Sequence, residues 1–193
     1  MQFEKQINQN IITFVYNFVQ KNKIKKLFMK EKIIELLNNI AKLLEIKGDM
    51  FFKYNAYVIA ADRLKSVEAD IENMAKENKL SEIEGIGKAL DTKISEFVLT
   101  GKMSYYEKLT AEYPESLLGL LKIDGLGAKK IKQIYTELGI IDIEGLESSC
   151  IKGDVAKLRG FSEVSQTKIL DSIQHIRSNP NYKVTNIHFR DIQ

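Results

Sequence analysis

Two glycine pairs mark where this chain could hold an anion. Ile83-Glu84-Gly85-Ile86-Gly87-Lys88 sets two glycines around one apolar residue, and Ile123-Asp124-Gly125-Leu126-Gly127-Ala128-Lys129-Lys130 repeats the pattern. Helical periodicity follows each at once: Leu90, Ile94, Phe97 and Val98 after the first, Ile131, Ile134, Tyr135 and Leu138 after the second. A tight turn feeding a helix start presents unpaired backbone N–H groups and the positive end of the helix dipole, an arrangement that favours an anion, phosphate first among them. Glycine reaches backbone angles closed to other residues and lets another backbone come close, so Gly85 and Gly87 are expected to do both. A weaker third copy, Leu158-Arg159-Gly160-Phe161-Ser162, leads to Val164, Lys168 and Ile169 and carries serine where the second glycine stood. The copies recur at roughly 35 to 40 residues, a spacing typical of supersecondary repeats. A glycine-rich connection without a ligand is the plain alternative for any single copy; recurrence weighs against it for the set.

The elements that must position these turns read as helices. Residues 6–20 carry an apolar stripe of Ile7, Ile11, Phe14, Val15 and Phe18, and a basic run follows at Lys21, Lys23, Lys25, Lys26, Lys30 and Lys32. That run is either a solvated face or a phosphate contact. Ile33, Leu37, Ile40, Ala41 and Leu44 predict a second helix ending near Gly48. Residues 53–67 predict a third, with Tyr57, Ala60, Ala61 and Leu64 inward, and Ile71 and Met74 a short fourth. Met103, Tyr106 and Leu109 mark a helix before Tyr113-Pro114-Glu115, where proline suits a first turn and a boundary near residue 112 is expected. A short helix within residues 140–150 takes Asp142 as its cap, and a last one runs through Ile176. Ser178-Asn179-Pro180-Asn181 breaks the pattern ahead of a polar tail. The fold expected is all-α. It has an N-terminal amphipathic helix and basic segment (1–30), a helical domain holding the first hairpin (31–111), a second holding the other two (112–178), and a tail (179–193).

Composition narrows the function classes. The chain has 193 residues, 44% hydrophobic and 28% charged, with a formal net charge of +3. The charge is too small to argue a polyanion partner by itself, so lysine placement has to carry that case. One cysteine, Cys150, rules out an internal disulfide, and two histidines rule out a His/Cys zinc cluster. No apolar run approaches the ~20 residues of a membrane span and no secretory pattern opens the chain, so no membrane partner and an intracellular location are expected.

Phe52-Lys53-Tyr54-Asn55-Ala56-Tyr57, Gly85-Ile86-Gly87-Lys88, Lys93-Ile94 and Leu99-Thr100-Gly101-Lys102, taken with the spaced hairpins, closely resemble the N-terminal region of family X DNA polymerases. The resemblance covers about residues 31 to 177. It implies a DNA polymerase beta-like N-terminal domain followed by tandem helix-hairpin-helix units. It further implies DNA held through phosphate oxygens by the amides of Gly85, Gly87, Lys88, Gly125, Gly127 and Ala128, without base readout. Lys129, Lys130 and Lys132 would add attraction. It implies no required cofactor and a monovalent cation, Na+ or K+, held by the backbone carbonyls of Ser81, Ile83 and Ile86 and of Leu121, Ile123 and Leu126. Polymerase chemistry is not expected of this stretch, which has no Gly-Ser pair and no Asp-x-Asp.

Some members of that family remove a 5′-deoxyribose phosphate through a lysine Schiff base. The nucleophile matches Lys93 by position, and Lys53 and Tyr57 match the phosphate pocket. Lys93 also borders the stripe of Leu90, Ile94 and Phe97, where partial desolvation favours a neutral amine. Ala89 and Val58 stand where DNA polymerase beta has basic residues, Phe52 replaces a histidine, and Asp91-Thr92 replaces Ala-Glu. Glu96, one turn on, is placed to pair with Lys93 and keep it charged. Three readings stay open: a DNA-binding module for nicked, gapped or branched DNA in repair or replication, a lyase, and a protein-interaction module that self-associates or binds a partner through the N-terminal helix.

Overall fold

The computed structural model describes residues 2–178, with side chains described from residue 19 on, residue 22 apart. Among the described residues nine α-helices follow one another and no strand occurs. They are α1 Gln2–Lys47, α2 Phe51–Ser66, α3 Ile71–Lys76, α4 Lys88–Thr100, α5 Ser104–Glu112, α6 Leu117–Leu120, α7 Ala128–Leu138, α8 Ile143–Ile151 and α9 Glu163–Ser178. Two 3-10 turns, Leu80–Glu82 and Val155–Lys157, precede the first and third hairpins. The all-helical class and the tandem hairpins agree with the sequence.

The break expected between the first helix and Ile33 is absent, since α1 runs unbroken for 46 residues. Residues 21–32 contain neither glycine nor proline and are rich in lysine, a good helix former. A polar stretch there changes which face is wet without ending the helix. The apolar side chains expected on residues 7–18, and the tail after Ser178, lie outside the described residues.

The chain divides into two compact units, residues 1–41 with 52–108, and residues 42–51 with 109 onward. In the first, Ile33, Leu37, Ile40, Ala60, Ala61, Leu64, Leu80 and Ile94 are the deepest side chains. α3, the 3-10 turn Leu80–Glu82 and α4 pack on one another. Lys30 reaches past the end of α2, its Nζ donating to the Val67 carbonyl at 2.6 Å and the Lys65 carbonyl at 3.3 Å. Lys26 Nζ lies 2.6 Å from Asp70, which also caps α3 by accepting from the Asn73 amide. Two of the six lysines in the basic run are thus committed to the fold.

In the second unit Leu43, Leu44, Ile46, Leu117, Leu120, Ile123, Ile131, Ile134, Leu146 and Ile173 form the core. α8, the turn Val155–Lys157 and α9 pack together. Asp142 caps α8 as expected, accepting from the Gly145 amide at 2.8 Å. Val164, near the start of α9, is exposed, and α9 buries Ile169, Ser172 and Ile173. Lys132, expected to attract DNA, donates to the Lys47 carbonyl at 2.7 Å and closes the end of α1.

Candidate nucleic-acid interface

The three glycine turns share one geometry. In each, the residue two before the first glycine accepts a turn hydrogen bond from the amide three residues on: Ile83 from Ile86, Ile123 from Leu126, Leu158 from Phe161. The first glycine of each is left-handed, with φ 89° at Gly85, 83° at Gly125 and 80° at Gly160. The second glycines differ from the expectation. Gly87 (φ −79°, ψ 166°) and Gly127 (φ −96°, ψ 173°) sit in ordinary extended backbone, and a Cβ on either would meet nothing within 4 Å. Neither the backbone angle nor a neighbour in this chain demands glycine there. What glycine leaves is open space directly above the starts of α4 and α7, where no side chain caps the helix. The free amides therefore face a clear approach, the condition an anion needs.

Gly85 is constrained twice, by its φ and by α2. A Cβ there would lie 2.8 Å from Ile59 Cγ2 and 3.2 Å from Arg63 Cγ. Arg63 also pairs with Glu84 at 3.1 Å, tying α2 to the turn. Asp91 supplies a brace that the sequence did not reveal. It is 6% exposed and accepts from the Ser81 amide at 3.0 Å and the Ser95 hydroxyl at 3.0 Å, joining the turn before the hairpin to the helix after it. Gln166 does the same for the third hairpin, accepting from the Ala156 amide at 2.9 Å. The only earlier hint was an acid four residues before a serine inside an amphipathic helix. Replacing Asp91 with alanine strands a part-buried amide, so Asp91→Ala should lower unfolding free energy by about 1–3 kcal/mol in urea denaturation.

Of the expected lysines, Lys88 and Lys129 are exposed at the starts of α4 and α7. Lys130 folds back, donating to the Gly125 carbonyl at 3.1 Å while its Nζ sits 5.2 Å from the Phe161 ring centroid.

Lys93 lies in the first unit, in an aromatic slot. Its Nζ is 2.6 Å from Tyr57 Oη, 3.8 Å from the Tyr105 ring centroid and 5.2 Å from that of Tyr57. The two rings stack 6.0 Å apart with 13° between planes. Burial draws the Lys93 pKa below the ordinary lysine value, while the ring faces favour the ammonium. Burial first, then the neighbouring Tyr105, push the Tyr57 hydroxyl above the usual tyrosine range, so it stays protonated. Glu96 does not take the partner expected for it. It accepts from the Ser104 hydroxyl and from the Ser104 amide, at 3.0 Å for the amide, at the head of α5. Those bonds hold its carboxyl below the usual range. Lys53 is exposed one turn before Tyr57 on α2. The structure thus joins Lys93 and Tyr57, adds Tyr105, which no spacing signalled, and removes Glu96.

Among the described residues, no cluster of His, Cys, Asp or Glu is placed to hold a metal ion, and no helix is long and apolar enough to cross a membrane.

The fold and these turns define a helix-hairpin-helix protein, and residues 29–103 match the helix-hairpin-helix domain family. The chain is 40% identical over 151 residues to the DNA polymerase/3′-5′ exonuclease PolX of Bacillus subtilis (strain 168). That match takes in 78% of this chain but only 26% of the polymerase. The chain thus spans about a quarter of the length of that polymerase, and over that stretch it is similar to the N-terminal region of a family X polymerase.

Proposed function

We propose that this chain holds DNA by its phosphate backbone, without reading sequence, on nicked, gapped or branched structures met in repair or replication. The observation that carries this is the pair of uncapped helix starts at Gly87 and Gly127, each with open space above it. The amides of Gly85, Gly87 and Lys88, and of Gly125, Gly127 and Ala128, are the donors. Exposed Lys88 and Lys129 add charge beside them, and Lys130 stays close to its own turn. Phosphate contacts of this kind position a protein and carry no base information. Affinity for gapped duplex should be about 10⁻⁴–10⁻⁶ M at physiological salt and fall steeply as salt rises. A salt titration by fluorescence anisotropy checks this, and salt-independent binding overturns it.

A monovalent cation, Na+ or K+, fits the same turns as a partner for carbonyl oxygens. Ser81, Ile83 and Ile86 would hold it in one hairpin, and Leu121, Ile123 and Leu126 in the other. The Ile83 and Ile123 carbonyls each already accept one turn hydrogen bond and keep a second lone pair for an ion. Bound there, the ion would bring positive charge toward a phosphate. Repeating the titration with tetramethylammonium in place of K+ tests it.

A second reading is favoured by the slot around Lys93: 5′-deoxyribose-phosphate lyase activity. The neutral Lys93 amine adds to the C1′ aldehyde of the opened sugar, and loss of water leaves an imine. Removal of a C2′ proton then breaks the C3′–O bond, the electron pair leaves with the 3′ oxygen, and water releases the sugar and restores the amine. Tyr57 holds the amine, and Lys53 is the phosphate partner one turn away.

A further inference from the structure

The three hairpins are copies in sequence, but their helix starts differ. In the third, Ser162 and Ser165 cap one another. The Ser162 amide donates to Ser165 Oγ at 2.8 Å, the Ser165 amide to Ser162 Oγ at 3.2 Å, and the Ser165 hydroxyl to the Ser162 carbonyl at 2.9 Å. The amide that matches those of Gly87 and Gly127 is consumed here by the chain itself, through the Ser165 hydroxyl. The apolar residue of the turn changes use as well. Ile86 and Leu126 are buried, whereas Phe161 is half-buried and turns its ring to Lys130 on the second hairpin.

Two more bonds run from the third hairpin and α9 to the second. Gln133 Nε2 donates to the Arg159 carbonyl at 3.1 Å. The Asp124 amide, inside the second turn, donates to Ser172 Oγ at 3.0 Å, and Ser172 is 8% exposed. At Ile131, the position matching Asp91 and Gln166, the second hairpin has an apolar side chain and so lacks their internal brace. Ser172 supplies from α9 a different brace, taking the Asp124 amide inside the turn, three residues past the Leu121 position that matches Ser81 and Ala156.

We infer that the third hairpin is closed to phosphate and serves as the brace of the second, with Ser172 the positioning residue that fixes the Asp124–Gly127 turn. This rests on the phosphate-holding reading for its consequence in binding, though not for the brace itself. Ser172 touches no ligand and acts through the turn it holds.

Two measurements separate the brace from the binding. Amide hydrogen exchange in the free protein reads the turn directly. In Ser172→Ala the Asp124 amide should exchange about tenfold faster while core amides of α7 keep their protection, and Ser172→Thr, which retains the hydroxyl, should restore it. An unchanged Asp124 rate overturns the brace, as does a loss of protection spread evenly over the unit. Binding to gapped duplex gives the other arm. Ser162→Gly with Ser165→Ala reopens the third helix start and should tighten binding about fivefold, since the freed amides would donate to a charged group. Unchanged or weaker binding overturns the closed third site. If the parent chain shows no salt-dependent binding at all, the phosphate-holding reading fails along with the closed-site claim, and hydrogen exchange still decides the brace.

Discussion

Borohydride should trap this chain covalently on DNA bearing a 5′-deoxyribose phosphate, and Lys93→Ala should abolish the adduct, a drop of at least about a hundredfold in trapping rate. The expectation rests on the state of one amine. Lys93 is partly buried, its carboxylate neighbour Glu96 is engaged by Ser104, and burial lowers its pKa from 10.5. The neutral amine is therefore populated at lower pH than on an exposed lysine, and the trapping rate should rise with pH through an inflection below 10.5. Removing the hydroxyl with Tyr57→Phe should shift this inflection while leaving the adduct detectable. The same shift has a consequence for stability. Between the folded-state value and 10.5 the unfolded chain binds more protons than the folded one, so stability increases as pH rises through that window. Binding without an adduct at any pH would retire the lyase reading and leave the DNA-holding one standing.

Legibility in the sequence followed how local each feature is. Helix periodicity and the glycine turns are written in consecutive residues, so α2, α4, α7 and the Asp142 cap of α8 could be read directly. Gly101 and Gly139 end α4 and α7, each in the left-handed conformation. Partnerships between distant residues were not legible. Lys132 and Lys30 look like free surface charges in the sequence, yet each closes a helix end many residues away. Glu96 looked like the partner of Lys93 because one helical turn separates them, but the Ser104 amide and hydroxyl offer it two donors at a helix start. Tyr105 and Ser172 act across 12 and 48 residues on groups whose partners no local pattern names. The length of α1 was missed for the opposite reason: charge was read as punctuation, although only backbone chemistry ends a helix.

The two glycines of one hairpin should respond to the same substitution in opposite ways. At Gly85 a serine meets a left-handed φ of 89° and a Cβ contact of 2.8 Å with Ile59. The backbone term costs about 1–2 kcal/mol and the overpacking about 1–3 kcal/mol, so Gly85→Ser should lower the unfolding free energy by about 2–5 kcal/mol. At Gly87 and Gly127 the backbone is already extended and the space is open, so serine fits. As an N-cap it is at least as good as glycine, and the double variant Gly87→Ser with Gly127→Ser should keep or gain a few tenths of a kcal/mol in urea denaturation. Its hydroxyls would then fill the open space through which phosphate approaches the helix start, each facing the amide three residues on as Ser162 faces that of Ser165. Affinity for gapped duplex should fall at least about tenfold, the loss of charge-assisted hydrogen bonds at two sites. Stability and binding are thereby uncoupled in one protein. A variant that folds as well as its parent and binds DNA as tightly would show that the starts of α4 and α7 do not hold phosphate. A variant that fails to fold would contradict the extended geometry at Gly87 and Gly127, on which the phosphate-holding reading depends.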